Sequence, residues 1–346
     1  MRHSRNIIVV PPHYKGTSFA DIVFALQFVV RKKHLSIEFV GELRPLSNTI
    51  PVGQLDDSRF VTKNDDVMRK LLQYPDRTNF LFLDFYALGL DMLLYSHSQK
   101  GIHNCHYGAL VHGGAFLADD LYSWSWLKQF EHAWALSLHK LYVPSQHLFR
   151  HLPENWKDRT RVFPWGMDGI HTTRGRGVST FDVVFPHRLD SDKGVDNLLG
   201  IARRIPELSF ALTTPQTKQR FIKNPVARQL KNLPNIHVVS NLDSADHIKT
   251  LQGARVVLSC ATQENFGYAI MKSVMAGCIP VVPNRLCYPE FLPSQYRYNS
   301  INDAVQKIKY FTSNWDTEMR NRKIEHARNK ISCFTFASIL HDFFRM

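Results

Sequence analysis

The stretch Asp182-Val183-Val184-Phe185-Pro186-His187-Arg188-Leu189-Asp190-Ser191-Asp192-Lys193-Gly194, leading into Val195 to Arg204, decides the fold. A β-branched and aromatic run stopped by proline reads as a strand, the polar residues behind it as a loop, and the amphipathic stretch beyond the glycine as a helix. The same unit recurs along the chain. Strands are expected at Ile7 to Val10, Ile37 to Val40, Phe80 to Leu83, Ala109 to Val111 and Lys140 to Val143, and again at Asp182 to Phe185, Phe210 to Thr213, His237 to Val239, Val256 to Ser259 and Ile279 to Val282. Helices are expected at Phe19 to Arg31, Leu121 to Leu138, Val195 to Arg204, Gln216 to Lys231, Ser244 to Gln252 and Phe266 to Ala276. Alternating strands and helices with nearly continuous apolar strands are the signature of parallel sheets covered on both faces. The expectation is an α/β protein of two Rossmann-like units in tandem.

Length agrees, since 346 residues is room for two domains with real cores. A hydrophobic share of 44% with a charged share of 21% lies near globular averages, and no apolar run reaches the roughly 18 residues that a membrane span needs. The basic start, Met1 to Val10, turns into the run Ile7 to Val10 and then Pro11-Pro12, which reads as a first strand rather than a signal peptide. Five scattered cysteines without a C-x-x-C pair argue against a disulfide framework or a four-cysteine zinc site, and a reducing cytoplasm fits. His103, Cys105 and His106 lie too close in sequence to complete a metal site by themselves and are read as an ordinary loop.

Between Met167 and Ser179, glycines alternate with Thr172, Thr173, Arg174 and Arg176 and no hydrophobic period survives, which suits a hinge. The expected division is 1–168 for an acceptor-side unit, 178–315 for a nucleotide-binding unit, and 316–346 for a helical segment broken near Ile331 to Thr335 that crosses back to the first unit.

Open parallel sheets bind ligands beyond the carboxyl ends of their strands. After the first strand comes His13-Tyr14-Lys15-Gly16-Thr17-Ser18, where Gly16 would let backbone approach a phosphate at a helix N-terminus. After Val111 comes His112-Gly113-Gly114, a histidine at the crevice edge. Arg188 and Lys193 stand in the loop beyond a strand, where a guanidinium fork and an ammonium suit a diphosphate. In Ser259 to Tyr268, Glu264 precedes a helix N-terminus, Asn265 is a candidate cap, and Gly267 allows close approach.

With these blocks in this order, together with Gly277-Cys278-Ile279-Pro280-Val281-Val282, the chain resembles the retaining GT-B glycosyltransferases of family four. Glu264 to Gly267 and Pro283-Asn284-Arg285-Leu286-Cys287-Tyr288-Pro289-Glu290 are locally similar to the tRNA-queuosine mannosyltransferase type. The resemblance covers roughly 182–295 in detail and the first half in outline. It implies a GT-B fold, with two Rossmann-like domains facing a central cleft. It also implies transfer of a sugar from a UDP- or GDP-sugar to a hydroxyl acceptor. By the same resemblance Arg188 and Lys193 grip the diphosphate; Glu264, with Asn265, Phe266 and Gly267, contacts the donor; His112 lies by the reacting centre; and no metal is required beyond the nucleotide-sugar substrate. The family's second carboxylate, eight residues after Glu264, is replaced by Lys272. An ammonium can only donate hydrogen bonds, so either the ribose is held differently, or the donor differs, or activity is lost. Alternatively Lys272 is a solvated helix residue and a neighbour holds the ribose.

The formal charge is +13, from 43 basic and 30 acidic residues. Seven Lys or Arg against three acidic residues lie from Lys140 to Arg176, and seven against one from Arg203 to Lys231. With Tyr122, Trp124, Trp126 and Trp134 nearby, this suits a nucleic-acid acceptor, a modified base in DNA or tRNA. Trp126 and Trp134, at helical spacing, are also expected as core residues. The alternatives are a lipid-linked or polysaccharide acceptor reached at a membrane surface, and a non-catalytic nucleic-acid or sugar-nucleotide binding protein.

Overall fold

The computed structural model describes residues 4–11, 18–43, 65–84, 90–118, 123–170, 180–214, 225–240, 242, 244–313 and 317–345. They form two compact units. Unit 1 takes the described residues up to Gly166 together with Thr335 to 345, and unit 2 runs from Met167 to Phe334.

Unit 1 carries six parallel strands: β1 (Arg5–Val9), β2 (Glu38–Val40), β3 (Thr78–Phe82), β4 (His106–Leu110), β5 (Lys140–Val143) and β6 (Thr160–Val162), in the order β2-β1-β3-β4-β5-β6. Its helices are α1 (Ser18–Lys32), α2 (65–71), α3 (Leu90–Gln99), α4 (Ser125–Ser137), α5 (Gln146–His151) and α6 (Glu154–Lys157). Ile7, Phe80, Phe82, Ala109, Leu141 and Val143 bury one core with Leu127, Trp134 and Trp156. The buried face of α4 is Leu127, Glu131, Trp134 and Ala135, spaced four, three and one apart. Trp126 and Phe130 sit one position off this face and are 57% and 53% exposed, so of the two tryptophans expected in the core only Trp134 enters it.

Unit 2 carries β7 (Phe181–Phe185), β8 (Phe210–Thr214), β9 (Ile236–Ser240), β10 (Ala254–Leu258), β11 (Ile279–Pro283) and β12 (Arg297–Tyr298), all parallel, in the order β12-β11-β10-β7-β8-β9. Its helices are α7 (Val195–Arg204), α8 (Pro225–Lys231), α9 (Ser244–Gln252), α10 (Tyr268–Ala276), α11 (Tyr288–Phe291), α12 (Ile301–Ser313) and α13 (Thr317–Ser332). Every residue of β8 and β11 is buried, as strands covered on both faces require. Pro280 is tolerated in β11 because β12 pairs only with Val282 and Pro283, so that among the described residues no strand lies on the far side of β11 at Pro280.

The last helix, α14 (Ala337–Phe344), belongs to unit 1 although α13 belongs to unit 2. Lys140 Nζ and the Tyr142 hydroxyl both donate to Asp342 Oδ2, at 2.8 and 2.7 Å. Phe343 lies over Gly108, where an added Cβ would stand 2.5 Å from the ring, so β4 must carry glycine there. Among the described residues no helix is long and apolar enough to cross a membrane.

Candidate functional site

Where strand order reverses, the connections leaving two neighbouring strands diverge and open a crevice at their carboxyl ends. In unit 2 that point lies between β7 and β10, and the two loops concerned are 186–194 and 259–267.

These loops are stapled together. The Asp192 carbonyl accepts from Thr262 N at 2.9 Å, Gln263 N at 3.2 Å and Thr262 Oγ1 at 3.1 Å. Gly194 ends a 3-10 turn (Ser191–Lys193) in the left-handed region, φ 66°, and starts α7. A Cβ there would stand 2.0 Å from the Cys260 carbonyl oxygen, so the two loops meet at a contact only glycine permits. Gly267, φ 77°, does the same at the start of α10, where a Cβ would lie 3.1 Å from the Tyr288 ring. The Tyr288 hydroxyl donates to Ser259 Oγ at 2.8 Å and fixes the floor.

On this frame sits a chain of charges. Arg188 contacts Asp190, and its Nη2 lies 3.3 Å from Asp192 Oδ2. Lys193 Nζ lies 3.1 Å from the same Asp192 oxygen and 3.3 Å from Glu264 Oε2, and donates to the Gln263 carbonyl at 3.1 Å. The other Glu264 oxygen accepts from Gly267 N at 3.1 Å. Burial opposes the charge of Lys193, but Glu264 and Asp192 outweigh it and raise the ammonium pKa. Burial likewise opposes ionisation of Glu264, and Lys193 above all overcomes it, holding the carboxyl below its ordinary range. Both groups are therefore charged at neutral pH, and the three carboxylates of the site are each engaged by Arg188 or Lys193. Among the described residues no group of three or more His, Cys, Asp or Glu is arranged to hold a metal ion.

The structure thus brings Arg188, Lys193, Glu264 and Gly267 together. Asn265 is buried beside them. The Phe266 ring is enclosed by Phe291 at 5.2 Å, Tyr268 at 5.8 Å and Phe334 at 6.2 Å. Lys272 is not a solvated helix residue: it is 4% exposed, because all of α10 except Ala269 is buried. Its charge bears on the half-buried His247 of α9, whose pKa falls to about 4 through burial first and Lys272 second.

In unit 1 His112 stands just past β4, at the carboxyl edge of the sheet. Its Nε2 donates to the Leu83 carbonyl at 2.9 Å, and its ring contacts Phe19 at 4.7 Å and Trp165 at 5.2 Å. Because a carbonyl only accepts, Nε2 carries a proton, which leaves Nδ1 as the acceptor of the neutral ring. Gly16 lies outside the described residues, as does 171–179 of the expected hinge.

Several residues escaped the sequence reading. Asp192 carries both the staple and the pairing of the two cations, and its only signal was a carboxylate next to Lys193. His187 is 6% exposed, its Nε2 has no hydrogen-bond partner among the described residues, and burial drops its pKa to about 4. Glu131, wholly buried on α4, binds the loop behind His112. The basic surplus is also less free than its count suggested. Lys140 pairs with Asp342, Lys157 with Glu154, and Arg159 donates to the carbonyls of Leu136 and Leu138. In the second group Arg203 donates to Gln229, and Arg204 to the Gly200 carbonyl.

Fold and site define a class. Two parallel-sheet Rossmann-like units are the architecture of GT-B glycosyltransferases, and residues 174–330, which hold the whole charged cluster, match the family model described as glycosyl transferases group 1. Sucrose-phosphate synthase from Thermosynechococcus elongatus superposes with a TM-score of 0.72 at 12% identity, covering 99% of this chain and 98% of that one. The catalytic domain of starch synthase IV from Arabidopsis thaliana, bound to ADP and acarbose, superposes with a TM-score of 0.68 at 12% identity, covering 99% of this chain and 98% of that one. At such identities the likeness establishes the fold.

A more particular likeness is to the tRNA-queuosine alpha-mannosyltransferase of Drosophila melanogaster, 30% identical over 134 residues, which are 37% of this chain and 35% of that protein. The chain therefore spans about a third of the length of that curated relative.

Proposed function

We propose that this protein is a retaining glycosyltransferase of the family-four type that moves a sugar from a UDP- or GDP-sugar to a hydroxyl group, and that its acceptor is a modified base in tRNA or DNA. One observation carries the reading: two fixed cations, Arg188 and Lys193, share Asp192 at the β7/β10 switch point, and Lys193 also touches Glu264. As a glycosidic bond to a diphosphate breaks, negative charge grows on the leaving oxygens and positive charge on the anomeric carbon. Preorganised cations on the phosphate side lower that barrier without reorganising at the moment of reaction. A diphosphate entering the site competes with Asp190 and Asp192 for Arg188, so the carboxylates hold the guanidinium in place until a stronger partner arrives. Glu264, kept ionised by Lys193, supplies an acceptor for sugar hydroxyls. We assign Asn265, Phe266, Gly267, Lys272 and Gly16 to the donor and His112 to the reacting group, and we expect turnover in the presence of a chelator and in the cytoplasm.

The nucleic-acid acceptor is supported by the likeness to the queuosine enzyme and by the net charge of +13. The exposed Trp124, Trp126 and Phe130 of unit 1 favour a second reading, a lipid-linked acceptor approached at a membrane surface. The test incubates purified protein with UDP-, GDP- and ADP-sugars plus tRNA or DNA, follows nucleoside diphosphate release, and weighs the nucleic acid by mass spectrometry. Sugar mass on nucleic acid, lost in Glu264→Ala and His112→Ala, is the expected result. Transfer only to liposome-borne acceptors selects the second reading, and absence of turnover with every donor refutes both.

A further inference from the structure

Behind His112 the chain runs through Gly113, Gly114, Ala115 and Phe116 without regular structure. Its start is fixed to the sheet by Val111 N donating to the Tyr142 carbonyl at 2.8 Å, and the loop turns where Leu117 N donates to the Gly114 carbonyl at 3.0 Å. Between these points the loop is tied to a carboxylate. Glu131 Oε1 accepts from Ala115 N at 2.7 Å and Oε2 from Phe116 N at 3.2 Å. A Cβ added to Gly114 would stand 2.6 Å from the Phe116 ring and 2.9 Å from Glu131 Oε1, so ring and carboxylate both press against that glycine.

Glu131 is completely buried, on the same face of α4 as Leu127, Trp134 and Ala135. An acidic side chain in that position is costly unless its oxygens are bonded, and a leucine there would serve packing better. Its chemistry fits another task. Two successive backbone N–H groups point at one anion, so the loop adopts the geometry that the carboxylate dictates. The imidazole itself is held from the other side by Leu83, Phe19 and Trp165.

We propose that Glu131 is a positioning residue for the transfer reaction, holding the 113–116 backbone so that His112 and the glycines behind it keep their place at the carboxyl edge of β4. The inference rests on the glycosyltransferase reading above. Glu131→Gln is the informative change, because the amide keeps one acceptor and turns a donor toward a backbone donor. The expected result is a fall in kcat for transfer of about 10- to 100-fold, with the KM for donor changed less than about threefold. The ratio of transfer to donor hydrolysis, in which water replaces the acceptor hydroxyl at the anomeric carbon, should drop about tenfold. A purely structural role would lower melting temperature and yield without moving that ratio per folded molecule. Gly114→Ala is the second variant, since its Cβ would press on the Phe116 ring and on the Glu131 carboxylate together and so disturb the 113–116 backbone while keeping Glu131, and it should shift the ratio in the same direction. It carries the test if Glu131→Gln does not fold. Folded variants with wild-type kcat and ratio would overturn the proposal while leaving the activity standing. Wild-type protein without turnover would overturn the activity, and this proposal with it.

Discussion

Gly194→Ala tests whether the two loops of unit 2 are one piece of machinery. The new Cβ would start 2.0 Å from the Cys260 carbonyl oxygen and 2.8 Å from its carbon, both backbone atoms without a rotamer to escape into. Reaching even 3.0 Å means parting the loops by about 1 Å. That takes Thr262 N to Asp192 O from 2.9 to about 3.9 Å and Lys193 Nζ to Gln263 O from 3.1 to about 4.1 Å, beyond hydrogen-bonding range. Two such bonds at about 0.5–1.5 kcal/mol each, with about 1 kcal/mol for an alanine in the left-handed region, sum to about 2–4 kcal/mol. For a unit of this size that lowers Tm by about 4–16 °C. Because Arg188 and Lys193 ride on the displaced loop, affinity for free UDP or GDP should fall at least tenfold. Calorimetry measures both. Gly200→Ala is the control, since its Cβ would meet only the flexible tip of Arg204 at 3.3 Å and Ile301 at 3.9 Å, and inside a helix it should stabilise by about 0.5–1 kcal/mol. A Gly194→Ala protein within 1 kcal/mol of wild type, with nucleotide affinity within twofold, would refute the stapled-loop account.

Two further outcomes are expected. His187 has a folded pKa of about 4 against an ordinary value near 6.5, so between those values the unfolded chain binds the proton that the folded one refuses. Stability should therefore fall as pH drops from about 6.5 to about 4, by up to about 1.4 kcal/mol per unit, and urea midpoints at pH 7 and 5 should lie closer together in His187→Phe than in wild type. An unchanged gap between the midpoints would count against this. In unit 1, Asp342→Ala leaves the buried Tyr142 hydroxyl without its acceptor and should cost about 1–3 kcal/mol by denaturant titration, more than Asp342→Asn, which keeps an acceptor oxygen; equal losses would show that the charge on Asp342, not the acceptor, matters.

The strands of unit 2 were legible because parallel strands covered on both faces must be continuously apolar, and each expected run lies within a residue or two of the observed one. Lys140–Val143, Val195–Arg204 and Ser244–Gln252 coincide with their expected bounds. In β4 the expectation began at Ala109, whereas the strand starts at His106, since His106-Tyr107-Gly108 lacks apolar character and Gly108 serves Phe343. The short strands β6 and β12 and the helices α2, α3, α5, α6, α11 and α12 were missed. Strands of two or three residues carry no period to read. Strand order is likewise invisible in a linear pattern, although it is what places the 186–194 and 259–267 loops side by side. Arg188, Lys193 and Glu264 could be named because they stand in loops beyond strands, in blocks whose order resembles the glycosyltransferase pattern. Asp192 and Glu131 could not, since their partners include backbone groups many residues away, and nothing in local spacing announces a long-range hydrogen bond.

The placement of α14 bears on how the chain is made. Ribosomal synthesis ordinarily lets an N-terminal domain fold before the next one emerges. Here unit 2 has all its strands and helices once Phe334 is translated, while β4 and β5 still lack the Phe343 ring over Gly108 and the Asp342 carboxylate for Lys140 and Tyr142. The first unit to begin is the last to be finished. Until residues 337–344 arrive, Gly108 and Tyr142 lack the cover that α14 gives them, and shortening the chain before α14 is expected to destabilise the half of the molecule most distant from the cut in sequence.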